Sequence, residues 1–278
     1  MAQNLAAKYS PKVAERFSQT ALTQEAVNND YDWDGVTTIN IYSVDTVAMG
    51  NYTRSGTSRY GTPSELGTTK QALTLTRDRA FTTTIDRRNK DESMGVTEAG
   101  KFLARQIREV ITPEIDVYRL AALNTAAIAN GKSTIITPGA TTSANAYNNF
   151  LTLNGNISDD LVPNVGRIAF MTNTYFNLLK QGNFVIDSEE AYKNRKSGKY
   201  GNVDGVQIVV VPASYMPTNT DLIITHPSVC VSPMVLTDYI THKNAPGING
   251  WLVEGRIVYD AFVLDAKVDA IATHRTAA

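Results

Sequence analysis

Residues 97–131 read TEAGKFLARQIREVITPEIDVYRLAALNTAAIANG, and the reading of this stretch decides the fold. Phe102, Leu103, Ile107, Val110 and Ile111 recur at three- and four-residue spacing, and Tyr118, Ala121 and Ala122 continue the stripe. That spacing lays side chains along one face of a helix. Lys101, Arg105, Arg108 and Glu109 take the wet side. Thr97 offers an N-cap hydroxyl, Glu98 sits where the helix dipole favours an acid, and Gly131 supplies a left-handed stop. Pro113 has no N–H to donate, which predicts a kink or break near Thr112.

Upstream the period changes to that of strands. Over residues 36–86, Ile39 and Ile41 alternate with Thr38 and Asn40, Leu73 and Leu75 with Thr74 and Thr76, and Phe81, Thr83 and Ile85 repeat the pattern. Residues 51–69 between them are rich in Gly, Ser and Thr, and Gly50, Gly56, Gly61, Pro63 and Gly67 are turn signals. The pattern predicts a long hairpin with a loose tip. Two strands alone are marginal in water, and their edges invite pairing with another chain. The hairpin is therefore expected to rest on a partner surface or to fold back on its own domain. Residues 1–35 are polar, with Ala14, Phe17 and Leu22 as sparse anchors and Tyr31 and Trp33 near the end, an arm that must dock to be ordered. Charges alternate over residues 77–92 (Arg77, Asp78, Arg79, Asp86, Arg87, Arg88, Lys90, Asp91, Glu92), as in a solvated face or in ion pairs between copies.

Downstream, helices are expected at 143–154, with Tyr147, Phe150 and Leu151 on one face, and at 174–180. Strands are expected at 167–172, 206–211, 221–225, 234–241, 251–264 and 267–273, with a polar, lysine-rich loop at 182–205. The result is a mixed α+β body.

Composition removes several function classes. A net charge of −1 is too small for a protein that coats DNA by displacing counterions. A single cysteine, Cys230, allows neither an internal disulfide nor a cysteine-rich metal site, and its place in Val229-Cys230-Val231 predicts a small buried core residue in a reducing compartment. No run approaches the ~18 apolar residues of a membrane span, and no secretory leader opens the chain. Gly131-Lys132-Ser133-Thr134 imitates the end of a phosphate-binding loop, but Ala126 stands where that loop needs glycine and a helix precedes it. The three histidines, His226, His242 and His274, lack metal-ligand spacing. Asp159-Asp160 and Glu189-Glu190 read as solvated acids. No catalytic, cofactor-binding or metal-binding residue is assigned, and no enzyme activity is expected.

Four segments carry a resemblance. They are residues 111–120 (ITPEIDVYRL), 161–168 (LVPNVGRI), 201–212 (GNVDGVQIVVVP) and 255–267 (GRIVYDAFVLDAK). Their order and spacing resemble the major capsid proteins of tailed bacteriophages, the Hong Kong 97-type family. The resemblance implies an α+β capsid fold with an N-terminal arm (1–35), an extended β-hairpin loop (36–86), a spine helix and peripheral domain (87–140), an axial domain (141–235) and C-terminal strands returning through both domains (236–278). It implies copies of the chain forming hexamers and pentamers of an icosahedral shell around double-stranded DNA, without sequence-specific contacts. Partners implied are a separate scaffolding protein, a portal protein at one vertex and a possible decoration protein, with assembly in the host cytoplasm and residence in the virion.

Candidate contact residues between subunits are Trp33, Arg54, Arg59, Lys70, Arg77, Arg79, Arg87, Arg88, Lys193, Arg195 and Lys196. The ring centre is expected at the loop around Lys193, Arg195, Lys196 and Lys199 or at the turn 215–220. Some members join a hairpin lysine to an asparagine next door; Lys70 is the lysine in reach here, no matching asparagine or acid is evident, and no cross-link is expected. An encapsulin-like compartment shell is the nearer alternative, and a cytosolic enzyme with an unrecognised site the more distant one.

Overall fold

The structure, a computed structural model, describes residues 21–31, 33, 37–88, 99–135, 141–181 and 201–276. Strands β1 (Val27–Asn28), β2 (Thr38–Val44), β3 (Thr68–Thr74) and β4 (Arg77–Asp86) precede the long helix. That helix runs as α1 (Ala99–Gln106), one π-turn (Ile107–Ile111) and α2 (Thr112–Ala129). After it come β5 (Ser133–Ile135), α3 (Ala146–Asp159), β6 (Ile168–Thr172), α4 (Asn173–Gln181), β7 (Asn202–Val203) and β8 (Val206–Val211). The chain finishes with β9 (Thr220–Thr225), β10 (Cys230–Val231), β11 (Met234–Lys243), β12 (Gly250–Tyr259), β13 (Phe262–Val263) and β14 (Ile271–Arg275).

Pro113 does not break the helix. Its missing N–H leaves the preceding turn to re-register, and Thr112 N–H donates to the Ile107 carbonyl in a wider π-turn. The widening has a packing use. Leu103, Ile107, Ile111 and Ile115 are all buried at a strict spacing of four. In an ideal helix that spacing drifts by roughly 40° per step, and the π-turn takes up the drift. Val110, expected in the buried stripe, is exposed as a result. The helix ends as expected. Gly131 has φ +68°, Lys132 N–H reaches the Ala127 carbonyl at 2.8 Å and Gly131 N–H the Ile128 carbonyl at 3.3 Å, the two bonds of a Schellman stop. The expected cap at Thr97 lies outside the described residues.

The helix serves two sheets. Its first half packs on the three-stranded sheet β11-β12-β4, where Leu103, Ile107, Ile111 and Ile115 meet Tyr239, Ile257 and Tyr259. Its second half, through Leu120, Leu123 and Ala127, covers one face of the six-stranded sheet β5-β14-β9-β6-β8-β7. The other face of that sheet is covered by α3 and α4, with Phe150, Leu153, Ile157, Tyr175 and Leu179 against Met171, Ile208 and Ile224. Strand β6 is buried along its whole length, which explains why Ile168–Thr172 carries no polar alternation. A third, small sheet, β1-β10-β13, lies between the bodies, and Cys230 is buried in it as expected. Burial pushes its thiol up to about 11, so it is a packing residue and no nucleophile.

Three expectations change. The pattern around Phe81 does not extend the hairpin: β4 pairs with β12 along all of Arg77–Asp86. The stretch 251–264 is not one strand, because Asp260 ends β12. Its buried carboxylate accepts from Thr76 N–H (2.8 Å), Thr76 Oγ1 (2.9 Å), Tyr118 Oη (2.8 Å) and Ala261 N–H (2.8 Å). One acid thus turns the chain and ties the hairpin's exit to the helix. Over 267–273, the apparent alternation belongs first to a 3-10 turn, Asp265–Ala270, closed by Lys267 N–H to the Leu264 carbonyl at 2.9 Å; β14 begins only at Ile271.

Two stability predictions follow from this packing. A Cβ on Gly255 would enter the rings of Phe81 and Tyr239. Gly255→Ala is expected to cost about 1–3 kcal/mol, read as a lower urea midpoint. His274 is buried on β14 with neither ring nitrogen bonded, its ring centroid 5.6 Å from that of Tyr175. Burial holds its pKa below the ordinary 6.5, against the opposing pull of the Asp221 carboxylate. The folded state therefore prefers the neutral ring. Stability is complete above pH 6.5 and falls as pH drops from there towards the lowered folded pKa. Asp221, itself held above the usual carboxylate range by burial, contributes in the opposite sense at lower pH. Thermal melts between pH 7 and 5 should flatten in His274→Met.

Candidate assembly surfaces

The hairpin is two structures in one. Strands β2 and β3 pair antiparallel from Thr38 opposite Thr74 to Val44 opposite Thr68. At the base, one face is fastened to its own chain. Leu73 is buried with Trp33, Val231 and Leu264, and Ile39, Ile41, Leu75 and Phe262 pack around them. Gln71 clasps the C-terminal segment, its Nε2 donating to the Val263 carbonyl at 2.9 Å and its Oε1 accepting from Asp265 N–H at 3.1 Å.

Beyond the base this support ends. Every residue from 44 to 66 is exposed. Val44, Val47, Met49, Tyr52, Tyr60 and Leu66 are among them, Met49 entirely so, and Tyr42 joins them from β2. The limb holds itself only by local contacts. Tyr52 and Tyr60 meet edge-on at 5.0 Å, Thr53 N–H donates to the Arg59 carbonyl at 3.0 Å, and Arg59 Nε to the Gly56 carbonyl at 3.2 Å. Apolar side chains gathered on a projecting ribbon mark an interaction surface.

A second exposed apolar place is the loop before β6. Leu161 and Val165 stand almost wholly in solvent, and Leu161 holds φ +61°, an unfavourable region for a branched side chain. Arg167 holds the loop in place. Buried, it donates from Nε to the Pro163 carbonyl (2.9 Å), from Nη2 to the Val162 carbonyl (2.6 Å) and from Nη1 to Asn154 Oδ1 (2.6 Å) at the end of α3.

The sequence-derived contact residues fall into distinct places. Arg54 and Arg59 are exposed on the outer limb, and Lys70 is exposed on β3 opposite Tyr42. Arg87 makes only a long 3.5 Å contact to Asn244 Oδ1, while Arg88 N–H donates to Asp86 Oδ1 at 2.8 Å. Three others are engaged inside the chain. Trp33 is buried, stacked on Phe262 at 5.5 Å, and anchors the hairpin's base. Arg77 lies over the Tyr118 ring at 4.3 Å. Arg79 Nε pairs with Glu114 at 2.8 Å, and Asp78 takes Arg256 Nε at 2.9 Å across β4 and β12. The turn 215–220 buries Met216 and Thr220 and exposes Thr218 and Asn219. Lys193, Arg195, Lys196 and Lys199 lie outside the described residues.

Sequence reasoning missed the polar clasp between arm and helix. Asp116 on α2 accepts Leu22 N–H at 3.0 Å, Thr23 N–H at 3.2 Å and Thr23 Oγ1 at 2.6 Å. Arg119, one turn on and fully buried, donates from Nε to Ser232 Oγ at 2.9 Å and from Nη1 to Thr23 Oγ1 at 3.1 Å. The available signal was an acid and an arginine three apart, on the side of the helix that turns to the core.

No family model matches the sequence, and no curated protein matches it at the sequence level. Solved structures do match along almost the whole chain. The structure from Mycobacterium phage Che8 has a TM-score of 0.73 at 16% identity, over 92% of this chain and 91% of that one. The capsid of cyanophage P-SCSP1u gives 0.67 at 12%, over 88% and 84%. A virus-like particle from Pyrococcus furiosus gives 0.59 at 9%, over 95% and 96%. The shared property is the fold, the α+β architecture of Hong Kong 97-type capsid proteins.

Proposed function

We propose that a chain with this capsid fold is itself a shell subunit, the major capsid protein of a tailed bacteriophage. It would assemble into hexamers and pentamers of an icosahedral head around double-stranded DNA. The observation that carries the reading is the outer limb of the hairpin. A fold found in capsids projects a ribbon of exposed apolar side chains that its own chain leaves uncovered. Copies of the same chain supply matching surface, and a flexible limb on a rigid body allows one sequence to make slightly different contacts around five- and six-fold rings.

In this reading α1 and α2 form the spine, the three-stranded sheet the peripheral domain and the six-stranded sheet the axial domain. The net charge of −1 suits a wall that encloses DNA and releases it. A scaffolding protein, a portal at one vertex and a decoration protein are the partners such a head employs, and assembly takes place in the host cytoplasm. The likeness to the Pyrococcus furiosus particle supports a second reading, a compartment shell filled with protein cargo.

Electron microscopy of the expressed protein, with and without a co-expressed scaffolding protein, tests the proposal. Rings, tubes or closed shells are expected. A homogeneous monomer at high concentration in both preparations overturns it. Particles from the native source that protect double-stranded DNA from nuclease support the phage reading; particles holding only protein cargo support the compartment.

A further inference from the structure

Two buried donors without partners border the same cavity. It has a volume of about 390 Å³, and Gln24, Asn28, Trp33, Arg119, Ser232 and Met234 are among its walls. Arg119 uses Nε and Nη1 on Ser232 and Thr23, but its Nη2 has no acceptor. Trp33 stacks on Phe262, and its Nε1 has no acceptor either. A buried donor left unpaired costs about 1–3 kcal/mol, and more when charged. A fold that keeps two of them beside one cavity leaves room for an acceptor. No carboxylate stands among the described residues that line the cavity, and the adjacent Asp116 already accepts three bonds from the arm.

The missing group must accept from two N–H donors at once, one of them on a guanidinium. A carboxylate has two oxygens and the complementary charge. We propose that this cavity is a socket for a carboxylate side chain brought in by a second copy of the chain. The source rests on the shell reading, in which copies pack against one another. The socket lies where the arm's end, the hairpin's base and the edge strand β1 meet, so an incoming subunit would lock the arm to the helix as it docks.

Trp33→Phe provides the test, because it removes the Nε1 donor and keeps an aromatic ring against Phe262. The change in ring shape acts equally on free and assembled subunits, so the difference between the two states is the readout. Melting is measured for dissociated subunits and for assembled particles. The particle's melting temperature should fall by about 2–4 °C more than the subunit's, and Arg119→Lys should show the same sign. Equal shifts in both states overturn the proposal while leaving the shell reading intact. Absence of particles from the unaltered chain overturns both. If acetate raises the melting temperature of the free wild-type subunit but not that of Trp33→Phe, a small free anion fills the socket and the second copy is not the source.

Discussion

Asp116→Ala is expected to destabilise the subunit by about 3–5 kcal/mol, in the range for removing one partner of a buried charge pair. Two losses combine. The arm's Leu22 and Thr23 lose their acceptor, so three donors at the start of the described arm are left unpaired. Arg119 loses the carboxylate that favours its charge, while burial already works against that charge. Urea unfolding of the dissociated subunit reads the change. Asp116→Asn keeps an oxygen for the arm but no charge, and should lose less. The double variant Asp116→Ala with Arg119→Met should recover part of the loss, since it removes the stranded cation together with its partner. If Asp116→Ala costs less than about 1 kcal/mol, the clasp is peripheral to the fold and the arm is held by Ala26 and Val27 alone.

The elements legible in the sequence were those whose signal is local. The Schellman glycine after α2, the hairpin alternation of Ile39, Ile41 and Leu73, and the apolar run Val206–Val211 each carry their structure in a few neighbouring residues. What stayed hidden depends on residues far apart in the chain. Asp260 reads as one polar residue inside a strand until Thr76 and Tyr118, 184 and 142 positions away, are seen to converge on it. The π-turn reflects a packing demand from Tyr239 and Ile257 on a helix whose own sequence suggested a proline break. Of the assembly surface, the hairpin's exposed limb was foreseeable from its turn-rich composition. That its base is fastened by Trp33 and Gln71 was not, because both partners, Phe262 and Val263, lie near the other end of the chain.

The division of the hairpin into anchored base and free limb sets the last expected result. Replacing residues 46–66 by Asn-Gly joins Asp45 to Gly67, which already bond through Asp45 N–H and the Gly67 carbonyl at 3.0 Å, with a dipeptide suited to a two-residue hairpin turn. Everything removed is exposed, so the dissociated subunit should unfold within about 0.5 kcal/mol of the original. Assembly should be lost, with no closed shells by electron microscopy at concentrations where the parent chain forms them. The two halves of the result discriminate. A limb that folded back on its own body would take stability with it, and a limb that served no contact would leave assembly unchanged. Met49→Ser with Tyr60→Ser, which keeps the backbone and removes two of the most exposed apolar side chains, should slow assembly in the same direction. Apolar area facing water in the free subunit is the driving force gained when a neighbour covers it.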